Sequence, residues 1–276
     1  MLPFNIKIAF LNINEGIYFF IAILCGVIYF IYTCKKDNID IDLIFEGVMY
    51  SFIAAIVFGR LLSFVLWSPE ALMKNPLDLI NISKGGLYGF TVTGAVLGAL
   101  VTGYIFLRIK KLHFFYHVKY AVPAILIGHV VGRFGCFLNG DASGIPTTLP
   151  WGLVYSPESS AYAGMIITNS NFPALHPTQL YEIFGNFILL IFIIFTGKNE
   201  WITNRRIVFY AMGYGFIRFI VEFFRGDAVR IFTYFTTGQI ISLIGILSGA
   251  GILIWSIFND DKMKAKPENI AYKKQK

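Results

Sequence analysis

The sequence predicts an all-α integral membrane protein with seven transmembrane helices. Three observations carry this. Of 276 residues, 56% are hydrophobic and 14% charged, with a mean hydropathy of +0.65. Soluble globular chains carry about 25% charge, and a soluble fold of this size has no interior large enough for so much apolar surface. The apolar residues gather into stretches near the ~20 residues that a helix needs to cross the hydrocarbon layer. The basic residues, finally, sort by connection. The same composition excludes a disordered chain, collagen and a coiled coil. Three Cys are too few for a disulfide scaffold.

The spans follow in order. The first, about 16–34, is apolar and contains Cys25 as an ordinary membrane-facing residue, with Cys34 at its end. Only Lys7 precedes it and no small-residue cleavage site follows, so it is expected to stay attached rather than act as a signal peptide. The second, 43–67, holds Arg60; the third, 86–107, is rich in glycine; the fourth, 120–138, holds Arg133 among glycines. The fifth, 178–197, follows Pro177; the sixth, 207–224, carries Arg218 and Glu222; the seventh, 238–258, is again apolar. Residues 1–258 form one membrane domain. The tail 259–276 is basic, contains Pro267 and is expected to fray. No internal repeat or low-complexity segment is present.

The basic residues set the orientation. Alternate connections and the tail hold 15 of the 23 Lys and Arg: Lys35, Lys36, Arg108, Lys110, Lys111, Lys119, Lys198, Arg205, Arg206 and the six tail lysines. The other side holds five: Lys7, Lys74, Lys84, Arg225 and Arg230. This split predicts a cytoplasmic C-terminus and an outside N-terminus. The net charge of +7 is therefore a topology signal, and no nucleic-acid partner is expected, because no basic groove with interleaved aromatics stands apart from the pattern. The connection 139–177 is long, lacks Lys and Arg, and holds five prolines with Trp151, Tyr155 and Tyr162. It is predicted to face outside, and a long loop on a rigid scaffold is a common seat of function.

Charges inside apolar runs are the informative residues, because each costs at least about 2.5–3.5 kcal/mol at bilayer depth. Arg60 either snorkels to the interface or serves the site. Arg133 is flanked by Gly128, Gly132, Gly135 and Gly140 and followed by Asn139 and Asp141. An arginine with an amide and an acid nearby suits a phosphate headgroup, or else pairs as a helix-end ion pair with Asp141. Tyr214, Arg218 and Glu222 recur every fourth residue and share one helical stripe, which Arg225 continues. The stripe predicts a polar cavity for a charged ligand. His176 precedes Pro177 and caps the next helix or joins the site; Thr178, Gln179, Tyr181 and Glu182 make that helix end polar. His129 lies one turn before Arg133, while His113 and His117 are expected to be solvated in a basic loop. The His113–His117 spacing lacks a zincin glutamate, and there is no GxSxG, phosphate-binding loop or CxxC, so neither metal nor cofactor is expected. Several arginines at a membrane site point to anionic-lipid chemistry with stabilisation of a phosphate leaving group.

Four stretches resemble one family, the bacterial prolipoprotein diacylglyceryl transferases, in order and spacing over nearly the whole chain. They are GRFGCFLNGDASG (132–144), LHPTQLYE (175–182), GYGFIRFIVEFFR (213–225), and FGRLLSFVLW with the later PLDLINISKGGL. The resemblance implies seven helices around a cavity opening to the outer face of the bacterial inner membrane. It implies transfer of the diacylglyceryl group of phosphatidylglycerol to the lipobox cysteine in a prolipoprotein signal peptide, with release of glycerol phosphate. By position, it carries over Arg133, Asn139, Asp141, Gly144, His176, Tyr214, Arg218 and Glu222. Cys136 stands where the family signature has Asn, Asp141 where it has Glu, Phe90 or Thr93 where it has a His suspected as base, and Glu15 where it has a tyrosine near the start of the first span.

The expected division of labour follows. Arg133 and Arg218 hold the phosphate, with Arg60, Asn139, Gly144 and Tyr214 lining the lipid site. Glu222 orients Arg218, and Asp141 with Asn139 fixes Arg133. The base is His129, His176 or no enzyme group, since the substrate thiol titrates near 8.5 and cationic surroundings lower that. Two rivals remain: a same-fold transferase with another acceptor, in which Cys136 could be a nucleophile, and a lipid transporter that uses the arginines for binding only.

Overall fold

The computed structural model describes residues 15–67, 91–157, 160–162, 165, 167, 171–226, 235–270 and 272. Its long helices are α1 (Glu15–Lys36), α2 (Ile41–Trp67), α3 (Val92–Ile109), α4 (Phe114–Asn139), α5 (Thr178–Phe195), α6 (Arg206–Glu222) and α7 (Thr237–Phe258). They lie where the apolar runs predict. The main differences are at the starts of α3 and α4, where hydropathy is blurred by glycine or by charged and aromatic residues. Among the described residues, 4 helices are long and apolar enough to span a membrane, in α2, α4, α5 and α7, and α3 adds a shorter apolar helix. Among the described residues, strand-like pairing is confined to isolated bridges such as Gly144↔Arg225 and Pro146↔Leu175. The protein is an all-α membrane protein whose surface is rich in exposed Phe, Ile and Leu.

The chain divides into two compact units. The first takes residues up to Thr33 and Val118–Lys264; the second takes Cys34–His117 and residues from Ala265 on. Within the second, α2 and α3 pack closely through small residues. A side chain at Gly98 would meet the Ala54 carbonyl and Phe58 at 2.7 Å. Without a hydrophobic drive between helices in lipid, such close backbone approach is what holds a pair together. Thr91 caps α3, accepting from Gly94 N and donating to the Gly59 carbonyl at 3.1 Å.

In the first unit, α5, α6 and α7 interlock the same way. Gly185 faces Ile217, Gly213 faces Leu189, and Gly215 faces the Ser242 carbonyl. A core of Val122, Leu126, Leu189, Leu190 and Ile193 fills the space beneath. In the connection between α4 and α5, Ser160–Tyr162 form a short 3-10 turn, and Ala161, Tyr162 and Leu175 make a small core of their own.

Two expectations are corrected. Over the described residues 259–270 the tail is held in place rather than frayed: Met263 is fully buried, and Asp260 binds the buried Arg205 at 2.7 Å and Lys264 at 2.6 Å. Further on, Asn269 accepts from His113 N at 2.9 Å. These bonds use backbone and single charges, which hydropathy does not register. His117 is buried rather than solvated, because α4 starts at Phe114 and takes it into the helix.

Candidate active site

Glu182 is the centre of the charged cluster. It sits one turn into α5 and is 1% exposed. Its Oε2 lies 2.7 Å from Arg133 Nε of α4, and its Oε1 accepts from Arg218 Nη1 of α6 at 2.5 Å. Arg225 Nη1 is 3.7 Å away. Glu222 is the second acid: its Oε2 is 2.8 Å from Arg218 Nη2 and 3.9 Å from Arg225 Nε. Three guanidiniums thus share two buried carboxylates. Arg218 is gripped on both nitrogens, so its plane is fixed in the way that suits bidentate binding of a phosphate or carboxylate.

The loop after α4 is tied to the first turn of α5. Gly140 (φ 76°) and Ala142 (φ 57°) turn the chain in the left-handed region. Thr178 then donates to the Ala142 carbonyl at 2.6 Å, and Gln179 Nε2 to the Asp141 carbonyl at 2.7 Å. The polar residues that open α5 are therefore the clamp that presents Arg133 to Glu182. Tyr155 donates to Gln179 Oε1 at 3.2 Å. Burial pushes its phenol up to about 12, so it stays protonated and donating through the neutral range, and that bond is lost only as pH rises through this value.

Asp141 does not fix Arg133 as expected. The carboxylate in contact with Arg133 is Glu182, and Asp141 is a more distant charge whose side chain faces the Cys136 thiol. The reason is the left-handed turn at 140–142, which carries Asp141 back over the end of its own helix. Asn139 is the last residue of α4.

Gly144 is wedged between two backbone segments. Its N–H donates to the His176 carbonyl and Ile145 N to the Phe224 carbonyl, both at 2.9 Å. A side chain at Gly144 would stand 2.5 Å from His176 Cβ and from the Phe224 carbonyl. Backbone on both sides cannot yield, so Gly144→Ala is expected to lower stability by roughly 1–3 kcal/mol or more. A thermal melt in detergent checks this; an unchanged midpoint contradicts the packing.

His176 is buried, and the residue before α5, Pro177, has no side-chain cap bond. His176 Nδ1 pairs with Tyr181 Oη at 3.1 Å, and that hydroxyl accepts from Trp151 Nε1 at 2.8 Å. His129 belongs to a second polar group lower in the unit. Its Nε2 is 3.0 Å from Tyr210 Oη, and its ring lies 4.6 Å from that of Tyr214. Tyr210 stacks on Tyr214 at 5.7 Å and 13°. Tyr214 is thus clamped between two rings, within the field of Glu182, Arg133 and Arg218.

Of the residues expected at the site, the structure brings together Arg133, Tyr214, Arg218 and Glu222. Arg60 belongs to the second unit, its guanidinium 5.9 Å from the Phe64 ring. Phe90 and the side chains of Thr93 and Glu15 lie outside the described residues. The sequence reading missed Glu182 as the hub, and Thr236 and Gly238 altogether. The signal for Glu182 was the stripe Gln179, Glu182 and Asn186, all buried, running down an otherwise apolar helix.

The chain is similar to known proteins over nearly its whole length. Residues 3–255 match the family described as "Prolipoprotein diacylglyceryl transferase". Among curated relatives, the chain is 29% identical over 235 residues to a "Phosphatidylglycerol--prolipoprotein diacylglyceryl transferase" of Finegoldia magna, covering 85% of this chain and 87% of the relative. It is 30% identical over 244 residues to the protein of that name from Clostridium tetani, covering 88% and 91%. It is 30% identical over 249 residues to one from Clostridium botulinum, covering 90% and 93%. The motifs, the paired arginines on buried carboxylates and a match over nearly the full length lead to one conclusion: this chain belongs to the prolipoprotein diacylglyceryl transferase family.

Proposed function

We propose that the protein moves the diacylglyceryl group of phosphatidylglycerol onto the lipobox cysteine of prolipoprotein signal peptides. The substrate thiolate attacks the diacylglyceryl carbon that carries the phosphate ester. A C–S bond forms, the C–O bond breaks, and glycerol phosphate leaves with the bonding electrons. The observation that carries this reading is the cluster of Arg133, Arg218 and Arg225 on Glu182 and Glu222, a preorganised cationic face of the kind that stabilises a departing phosphate.

In this reading Arg133 and Arg218 hold the phosphate, and Glu182 and Glu222 hold the arginines. Tyr214, clamped by His129 and Tyr210, contributes to the headgroup site, with Asn139 as a further lipid contact. Gly144 lets the strand of His176 close against residues 224–226. His176 orders Tyr181 and Trp151 at the edge. The thiol proton leaves to His129, His176 or water. Complementation of a cell lacking its own transferase, read by lipoprotein mobility, tests the assignment. Restored mobility is expected, and an accumulated precursor contradicts it.

The protein is further read as a seven-span protein of the bacterial inner membrane, with its cavity open outward, the N-terminus outside and the C-terminus in the cytoplasm. The basic-residue split supports this. A reporter after Lys276 should be cytoplasmic and one near Ser160 external. An external C-terminal reporter contradicts the topology.

Cys136 is read as a replacement for the signature asparagine rather than a nucleophile, since the substrate brings its own thiol. Cys136→Asn is expected to keep at least wild-type transfer. A lipid adduct on Cys136 during turnover, seen by mass spectrometry, would move the protein to the rival with a covalent enzyme intermediate.

A further inference from the structure

We propose that Thr236 is a positioning residue for this reaction: it seats Glu222 against the first turn of α7 and through Glu222 sets the plane of Arg218. The role rests on the reading of Arg218 as a phosphate-holding group. Thr236 caps α7 in a reciprocal box, its Oγ1 accepting from Gln239 N at 3.1 Å while Gln239 Oε1 accepts from Thr236 N at 3.0 Å. A hydroxyl has one proton besides its lone pairs. Thr236 gives that proton to Glu222 Oε1 at 2.9 Å, so one side chain both closes the helix and holds the acid.

The neighbouring residue completes the seat. A side chain at Gly238 would stand 2.5 Å from Glu222 Cδ, so only a hydrogen there lets the carboxylate reach the helix end. The N-terminal end of a helix favours a carboxylate through its free N–H groups and dipole. The other oxygen of Glu222 faces Arg218 Nη2 at 2.8 Å. A continuous line therefore runs from the start of α7 through Thr236 and Glu222 to Arg218, whose second nitrogen rests on Glu182.

The test uses the full-length protein in phosphatidylglycerol vesicles with a lipobox peptide, and measures kcat and KM for both substrates. Thr236→Val keeps the shape and removes the donor. It should lower kcat about tenfold or more, the scale of a lost hydrogen bond to a charged group, with little change in KM. Thr236→Ser should restore kcat. In a Glu222→Gln background, Thr236→Val should add nothing. A Ser variant no better than Val, or additive losses in the double variant, overturn the role of Thr236 alone. A wild-type chain without transfer activity overturns both this role and the transferase reading.

Discussion

Glu182→Gln is expected to abolish transfer and to destabilise the folded protein by about 3–5 kcal/mol, the cost of leaving buried cations without their partner. Glu182 touches Arg133 and Arg218 within 2.7 Å and has Arg225 at 3.7 Å. The amide keeps the shape and removes the charge, so the loss is electrostatic rather than a packing defect. Without that charge the two main guanidiniums repel each other across the gap between α4 and α6, and the surface that receives the phosphate opens. Two measurements check this: the amount of protein in the membrane with its detergent melting temperature, and the transfer rate of what remains. A variant that melts like the wild type and transfers at a similar rate contradicts the hub assignment.

Arg218→Lys is expected to lower transfer by about a hundredfold or more while the protein still inserts. Lysine preserves the positive charge, so Glu182 and Glu222 are not left unpaired. It cannot reproduce a planar fork with one nitrogen on each carboxylate, 2.5 Å from Glu182 and 2.8 Å from Glu222. A single ammonium can satisfy one acid well or both poorly, and in neither case does it present the same face to a phosphate. Near-normal activity in membranes would show that a point charge suffices and would remove the bidentate role. The two variants separate charge from geometry: the first removes charge at constant shape, the second removes shape at constant charge.

Much of the helical layout was legible because lipid imposes a simple rule. A spanning helix must be mostly apolar along its length, so the runs at 16–34, 178–197 and 238–258 can be read without knowledge of their neighbours, and helices lie there. The Tyr214, Arg218 and Glu222 stripe was legible for the complementary reason, that charge in such a run has to be compensated. The identity of the compensating partner was not. From sequence, Asp141 is the acid nearest to Arg133, but the left-handed turn at Gly140 and Ala142 turns it aside, and Glu182 reaches in from another helix. Pairing between elements far apart in sequence depends on helix rotation, which hydropathy leaves open. Thr236 was invisible for a different reason: a threonine before a helix reads as a cap, and nothing local reveals that its proton goes to an acid on α6. The anchoring of residues 259–270 was missed because it rests on Arg205, Met263 and a few backbone bonds rather than an apolar run.

The central claim is that this cluster transfers a diacylglyceryl group to a substrate thiol with loss of glycerol phosphate. The most direct test places the purified protein in vesicles of phosphatidylglycerol with a lipobox peptide, and quantifies the thioether-linked peptide and the released glycerol phosphate together. The predicted result is matched release of both products with the wild type, and loss of both with Glu182→Gln and with Arg218→Lys. Lipid binding without either product, or product formation that survives both substitutions, contradicts it.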